Sequence, residues 1–233
     1  MLRPTDLPAL ILSDGSLPSL VACAIVAAAR RPEQSQAPSH VLPAALPAPS
    51  PTPAPAPAHL SDRQRATALH QAALYGLSPI QAVPPRGTPS AFLPGEPDSR
   101  LLVDAAYTAL HLSCRTLVSP ALACEPGRAP DVPSITRLVD RCLLVSRLAS
   151  LDAPEAGLPE IRVEPLFADL DDDAIADLAM DLDCPVDTCW WFADPAPQAE
   201  RERSRWLPRL ERLGFAPSAA ASHARSAGSA VVA

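Results

Sequence analysis

Three serines and one glycine fall within seven residues near the start of the chain, in the stretch Ser13-Asp14-Gly15-Ser16-Leu17-Pro18-Ser19. Glycine lets a backbone come close to a ligand, and serine hydroxyls donate to phosphate oxygens. A helix opening at Pro18 would aim its positive end at the same point. These are the parts of an anion site, placed directly after the apolar run Ala9–Leu12. A strand-to-helix turn needs glycine and serine for its own geometry, so these residues leave the ligand-binding and plain-turn readings both open.

Other residues able to do chemistry are sparser. All 19 basic residues are Arg, which excludes a Schiff-base lysine and a P-loop lysine. His40 and His59 lie in or beside a Pro-rich stretch and His223 near the C-terminus; His70 and His111 fall within helical patterns, where a lone histidine is expected to be half-buried and structural. Asp171, Asp172 and Asp173 suit the first turn of a helix, and adjacent helical residues diverge too far to converge easily on one Mg²⁺. Six cysteines are spread without the dense spacing of a disulfide scaffold and read as reduced thiols, Cys184 as a small buried residue. Trp190, Trp191 and Trp206 are expected to pack under the last helix.

Composition bounds the rest. At 233 residues and 48% hydrophobic the chain can fill a core, which 4% aromatics and 30 prolines require to be built from Leu, Val, Ile and Ala. Few aromatics and a net charge of −7 speak against direct nucleic-acid binding. No uninterrupted apolar run is long enough to span a bilayer, so no membrane partner is expected. Residues 7–29 are apolar and end in three alanines like a secretory leader, but Asp6, Asp14 and the Gly-Ser-Leu-Pro interruption argue for a cytoplasmic protein.

The elements that must position the serine-rich loop alternate. Ala9–Leu12 reads as a strand and Pro18–Arg30 as a helix; Ser61 caps a helix running to about Tyr75 and ended by Gly76, and Ile80–Val83 reads as a weak strand. A helix following Ser99, a strand over residues 115–122, a helix over Ser134–Leu148, a strand over Ile161–Pro165 and helices over Asp171–Leu182 and Gln198–Leu213 complete the pattern. Strands separated by helices imply βαβ units and a parallel sheet covered on both faces. The first strand, loop and helix occupy 1–36 and the remainder of the α/β domain 59–215. Residues 37–58, alternating Pro with small residues, read as a linker able to form neither helix nor central strand, and 216–233 as a disordered tail.

The order of strand, "LSDGSLPS", helix, "FLPGEPDSRLLVDAAYTAL" and "EPLFADLDDDAIADLAMDLDCPVDTCWW" resembles the 7-cyano-7-deazaguanine synthases of queuosine precursor biosynthesis, PP-loop ATPases related to the adenine nucleotide α-hydrolases. The similarity covers nearly the whole chain outside the linker and tail. It implies a Rossmann-like three-layer fold and ATP with Mg²⁺ as cofactor. It further implies ATP-dependent conversion of 7-carboxy-7-deazaguanine to the nitrile with ammonia, the carboxylate being activated by adenylation. Ser13, Gly15, Ser16, Ser19 and Gly95 are then the nucleotide-binding positions.

The letters depart from that family's motifs. Its first loop reads SGGxDS, and the Asp has no counterpart here, while Asp14 stands where a Gly belongs. Two like unit charges about 4 Å apart repel by about 1 kcal/mol in water and about 4 kcal/mol at an effective dielectric near 20. Glu96 replaces the Arg of the family's PGRN segment and Asp172 its late-helix Lys. Cys189 resembles the first zinc ligand, but no Cys or His follows in "ADPAPQAERERSRW", so zinc is not expected. These departures raise the alternative of a catalytically inactive paralogue that keeps the fold as a nucleotide-binding or protein-interaction module.

Overall fold

The computed structural model describes residues 8–30, 38–46, 61–80, 96–154 and 157–216. Five strands, β1 (Ala9–Ser13), β2 (His40–Pro43), β3 (Ser78–Pro79), β4 (Thr116–Leu122) and β5 (Arg162–Phe167), form one all-parallel sheet in the order β3-β2-β1-β4-β5. The helices are α1 (Leu17–Ala29), α2 (Asp62–Leu74), α3 (Glu96–His111), α4 (Val132–Asp152), α5 (Asp172–Asp181) and α6 (Pro197–Arg212). The α/β class and the Rossmann-like layering read from the sequence are those of the fold.

Parallel strands joined by helical crossovers are covered on both faces, which is why β1 and β4 are apolar and buried along their length. Successive residues of β1 serve opposite layers. Ala9 and Ile11 join Val41, Val118 and Phe167 beneath α1 and α5; Leu10 and Leu12 join Leu117 and Val163 beneath α3 and α4. Each fully buried Leu or Ile stabilises the fold by about 1.5–3 kcal/mol. Trp191 and Trp206 are wholly buried in the first layer with α6, as expected of them.

Strand β2 corrects the linker assignment. His40–Pro43 lies inside residues 37–58 and pairs with β1 on one side and β3 on the other. Hydrogen-bond parity lets β2 tolerate its proline. The Ala44 N–H donates to Ser13 O at 2.8 Å and the Ile80 N–H to Val41 O at 2.8 Å, so alternate residues of β2 face β1 and β3. Pro43 falls on the β3 side, beyond the end of that strand, where its missing N–H breaks no ladder. In β3, the N–H groups of Ser78 and Ile80 both face β2, which leaves the nitrogen of Pro79 on the outer edge. The weak strand expected at Ile80–Val83 forms earlier, at Ser78–Pro79. Residues 81–83, 47–58 and 217–233 lie outside the described residues.

From β1 the chain builds outward through β2 to β3, then returns to place β4 on the opposite side of β1. The carboxyl ends of β1 and β4 therefore border the point where parallel sheets of this kind receive ligands.

Candidate functional site

At the end of β1 the chain turns through Asp14, Gly15 and Ser16 into α1. Ser16 has extended N-cap geometry, but its side chain makes no capping bond. Asp14 instead closes the turn before the helix: its Oδ1 accepts the Ser16 N–H at 2.9 Å and the Ser19 hydroxyl at 2.8 Å. The other two backbone donors of the turn are also taken: the Asp14 N–H by Ser19 Oγ at 3.2 Å and the Gly15 N–H by Ser13 Oγ at 3.2 Å. Three successive N–H groups at a helix N-terminus are what an anion seeks. Here serine hydroxyls take two of them and the protein's own carboxylate the third.

The other side of the turn is sealed. Gly15 O accepts from the Trp190 N–H and from Gln71 Nε2, each at 3.3 Å. Gly15 has φ +75°, and a Cβ on it would stand 2.9 Å from Thr67 Cγ2 and 3.0 Å from Gln64 O. Glycine is thus required twice over, by conformation and by the pressure of α2 on the loop. The expected nucleotide-binding residues Ser13, Gly15, Ser16 and Ser19 do come together, all of them buried. Gly95 lies outside the described residues. Sequence reasoning missed the cover: Gln64, Thr67 and Gln71 of α2, and the backbone of Trp190. Its signal was Gln71, a polar residue on the stripe of α2 that otherwise buries Ala68 and Ala72.

Beyond β4 a second polar cluster ties the loops together. Asp172 is 2% exposed; its Oδ2 accepts the Gly127 N–H at 2.8 Å and Arg205 Nε at 3.0 Å, and its Oδ1 accepts Arg205 Nη2 at 2.6 Å. The acidic triplet diverges: Asp171 caps α5 through the Ala174 N–H at 2.9 Å, while Asp173 pairs with Arg209 at 3.0 Å and Arg212 at 2.8 Å. Between the two clusters Glu202 accepts Trp206 Nε1 at 2.8 Å and stands 4.0 Å from Arg205. Burial raises the Glu202 carboxyl above its ordinary value, Arg205 and the Trp206 bond pull it down, and Asp14 and Asp172 push it up again.

Cys189 lies against the same loop, 4.0 Å from Gln71 Nε2. Burial, then the nearby charge of Asp14, pushes its thiol well above the ordinary range, so it stays protonated and unreactive at neutral pH. His70 and His111, expected half-buried, are exposed on α2 and α3. Their helices turn Ala68, Gln71 and Ala72, and Ala105, Ala106 and Ala109, toward the core instead. Among the described residues no group of three or more His, Cys, Asp or Glu is assembled that could hold a metal ion, and no helix is long and apolar enough to cross a membrane. No protein-family model matches the sequence, and no curated protein matches it.

Proposed function

We propose that this chain is a 7-cyano-7-deazaguanine synthase-like α/β protein whose nucleotide loop is occupied by its own side chains, and that it serves as a protein-interaction module rather than as an ATP-dependent ligase. The observation that supports the reading is the Asp14 carboxylate bonded to the Ser16 N–H and the Ser19 hydroxyl. A phosphate entering that slot has to displace a covalently attached anion and also meets its charge. Six free, buried cysteines support a cytoplasmic setting, where thiols stay reduced. One observation favours the second reading, an ATP-binding synthase with Mg²⁺: the loop lies at the β1/β4 reversal of the sheet, the position at which such folds take nucleotides.

Titrating ATP and Mg²⁺ calorimetrically into wild type and Asp14→Gly at two salt concentrations tests the proposal. Wild type should show no saturable binding, and Asp14→Gly should gain binding most at low salt, where exposed charge is least screened. Saturable ATP binding by wild type, lost on Ser19→Ala in a folded protein, would establish the second reading instead.

A further inference from the structure

The side of α4 turned away from the sheet is apolar where a solvent-facing helix is normally polar. Cys142, Val145 and Ala149 bury one stripe under the sheet, yet Leu143, Leu144, Leu148 and Leu151 are 59%, 71%, 47% and 69% exposed. Leu144, Leu148 and Leu151 recur at i, i+4 and i+7, and Arg137, Asp140 and Arg147 continue the same face at heptad-like intervals. Beside Leu144 a groove of about 370 Å³ opens toward α3, lined by Ser99, Arg137, Asp140, Arg141, Val145 and Leu148 together with Leu144 itself.

We infer that α4 is the interface of a symmetric dimer, pairing antiparallel with the α4 of a second copy of this chain about a two-fold axis at Leu144. The charges on the helix choose this occupant. A two-fold axis at Leu144 brings residue 140 of one chain level with residues 147 and 148 of the other. Asp140 and Arg147 lie on the same flank of the helix, and in an antiparallel pair related by a two-fold, like flanks meet. Asp140 of each copy therefore faces Arg147 of the other, giving two ion pairs on either side of a Leu144–Leu144 contact. On the opposite flank Leu148 of each copy reaches the groove beside Arg141 and Val145 of its mate. Arg141 is held there by Asp98 at 2.9 Å, which fixes the groove wall before any partner arrives. Leu151 of one copy lies over the aliphatic stem of Arg137 of the other. A parallel two-fold pairing brings opposite flanks together and sets each residue level with its own copy, so Asp140 no longer meets Arg147 of the mate and both ion pairs are lost. The inference is independent of whether the β1 loop binds nucleotide, since α4 packs on the opposite face of the sheet from α1.

Sedimentation equilibrium of the full chain over a range of concentrations tests it. Wild type should show a reversible monomer–dimer equilibrium. Leu144→Glu, an exposed position whose change leaves the core intact, should raise the dissociation constant about tenfold or more with unchanged circular dichroism. Asp140→Arg should weaken the dimer and the double change Asp140→Arg/Arg147→Asp should restore it, which separates a specific antiparallel register from general stickiness. A wild type that stays monomeric up to about 100 μM overturns the inference. So does a dimer indifferent to Leu144→Glu, which places the interface elsewhere. A chain ending at residue 216 that dimerises while the full chain does not assigns the leucine face to the C-terminal segment and overturns it equally.

Discussion

Ser19 donates its hydroxyl to Asp14 Oδ1 at 2.8 Å and accepts the Asp14 N–H on the same oxygen at 3.2 Å. This reciprocal pair closes the turn between β1 and α1 on itself. Both partners come from the seven-residue stretch that carries the ingredients of an anion site, so the chemistry expected of the loop is present but directed inward.

Removing the hydroxyl should therefore be felt as instability. Ser19 is fully buried, and Ser19→Ala leaves the Asp14 N–H without an acceptor and its carboxylate with one donor fewer. The expected loss is about 1–3 kcal/mol, the cost of an unsatisfied buried polar group, measured as a lower urea midpoint at unchanged slope.

Gly15→Ala should cost more. Its backbone sits at φ +75°, disfavoured for any side chain, and the new methyl would stand 2.9 Å from Thr67 Cγ2. Left-handed strain of roughly 1–2 kcal/mol and overpacking of roughly 1–3 kcal/mol act on the same atom. A loss of about 3 kcal/mol is expected, and Thr67→Ser in the same chain should recover part of it by withdrawing Cγ2. Full stability in the single variant would show that α2 can move off the loop.

Why so much of this fold is legible, and so little of its site, follows from range. The alternation of Ile11 and Leu12, the Ser61–Gln64 capping box of α2 and the Asp171 cap of α5 are written in neighbouring residues, and each element appears where those residues put it. Strand β2 was hidden because proline content speaks for a whole window, whereas what matters is which edge of the strand each proline nitrogen faces. The closure of the loop was hidden for a different reason. Gln71 lies 56 residues from Gly15, and Trp190 is farther still, so only the folded chain brings them to one carbonyl. Asp14 could be read as an obstacle to phosphate from its charge alone, but not as the acceptor of the Ser16 N–H and the Ser19 hydroxyl.

The ion cluster beyond β4 gives a further test. Asp172 is buried and Arg205 only 12% exposed, so removing either leaves an uncompensated charge in the interior. Asp172→Asn should destabilise the protein by about 3 kcal/mol, and a double-mutant cycle with Arg205→Met should show that the two losses are far from additive. Asp172→Ala also removes the acceptor of the Gly127 N–H of the β4–α4 loop, so in that variant amide exchange should rise there and at α6 together.

Glu202 supplies the dependence on pH. Its carboxyl is raised in the folded protein, chiefly by burial and further by Asp14 and Asp172, although Arg205 and Trp206 Nε1 offset part of this. A raised folded value means the native state holds its proton more tightly than the unfolded chain does. Stability from this group is therefore fully present below the ordinary value of 4.5 and is lost as pH climbs through the raised one. Glutamine keeps an oxygen to accept the Trp206 N–H and carries no charge beside Asp14. Glu202→Gln should thus be more stable than wild type at neutral pH, with the difference shrinking as pH falls from the raised value to the ordinary glutamate value. Parallel thermal unfolding of the two proteins from pH 4 to pH 8 measures it. A wild type that is the more stable protein at pH 7 would mean that Arg205, 4.0 Å away, outweighs the burial of the carboxylate.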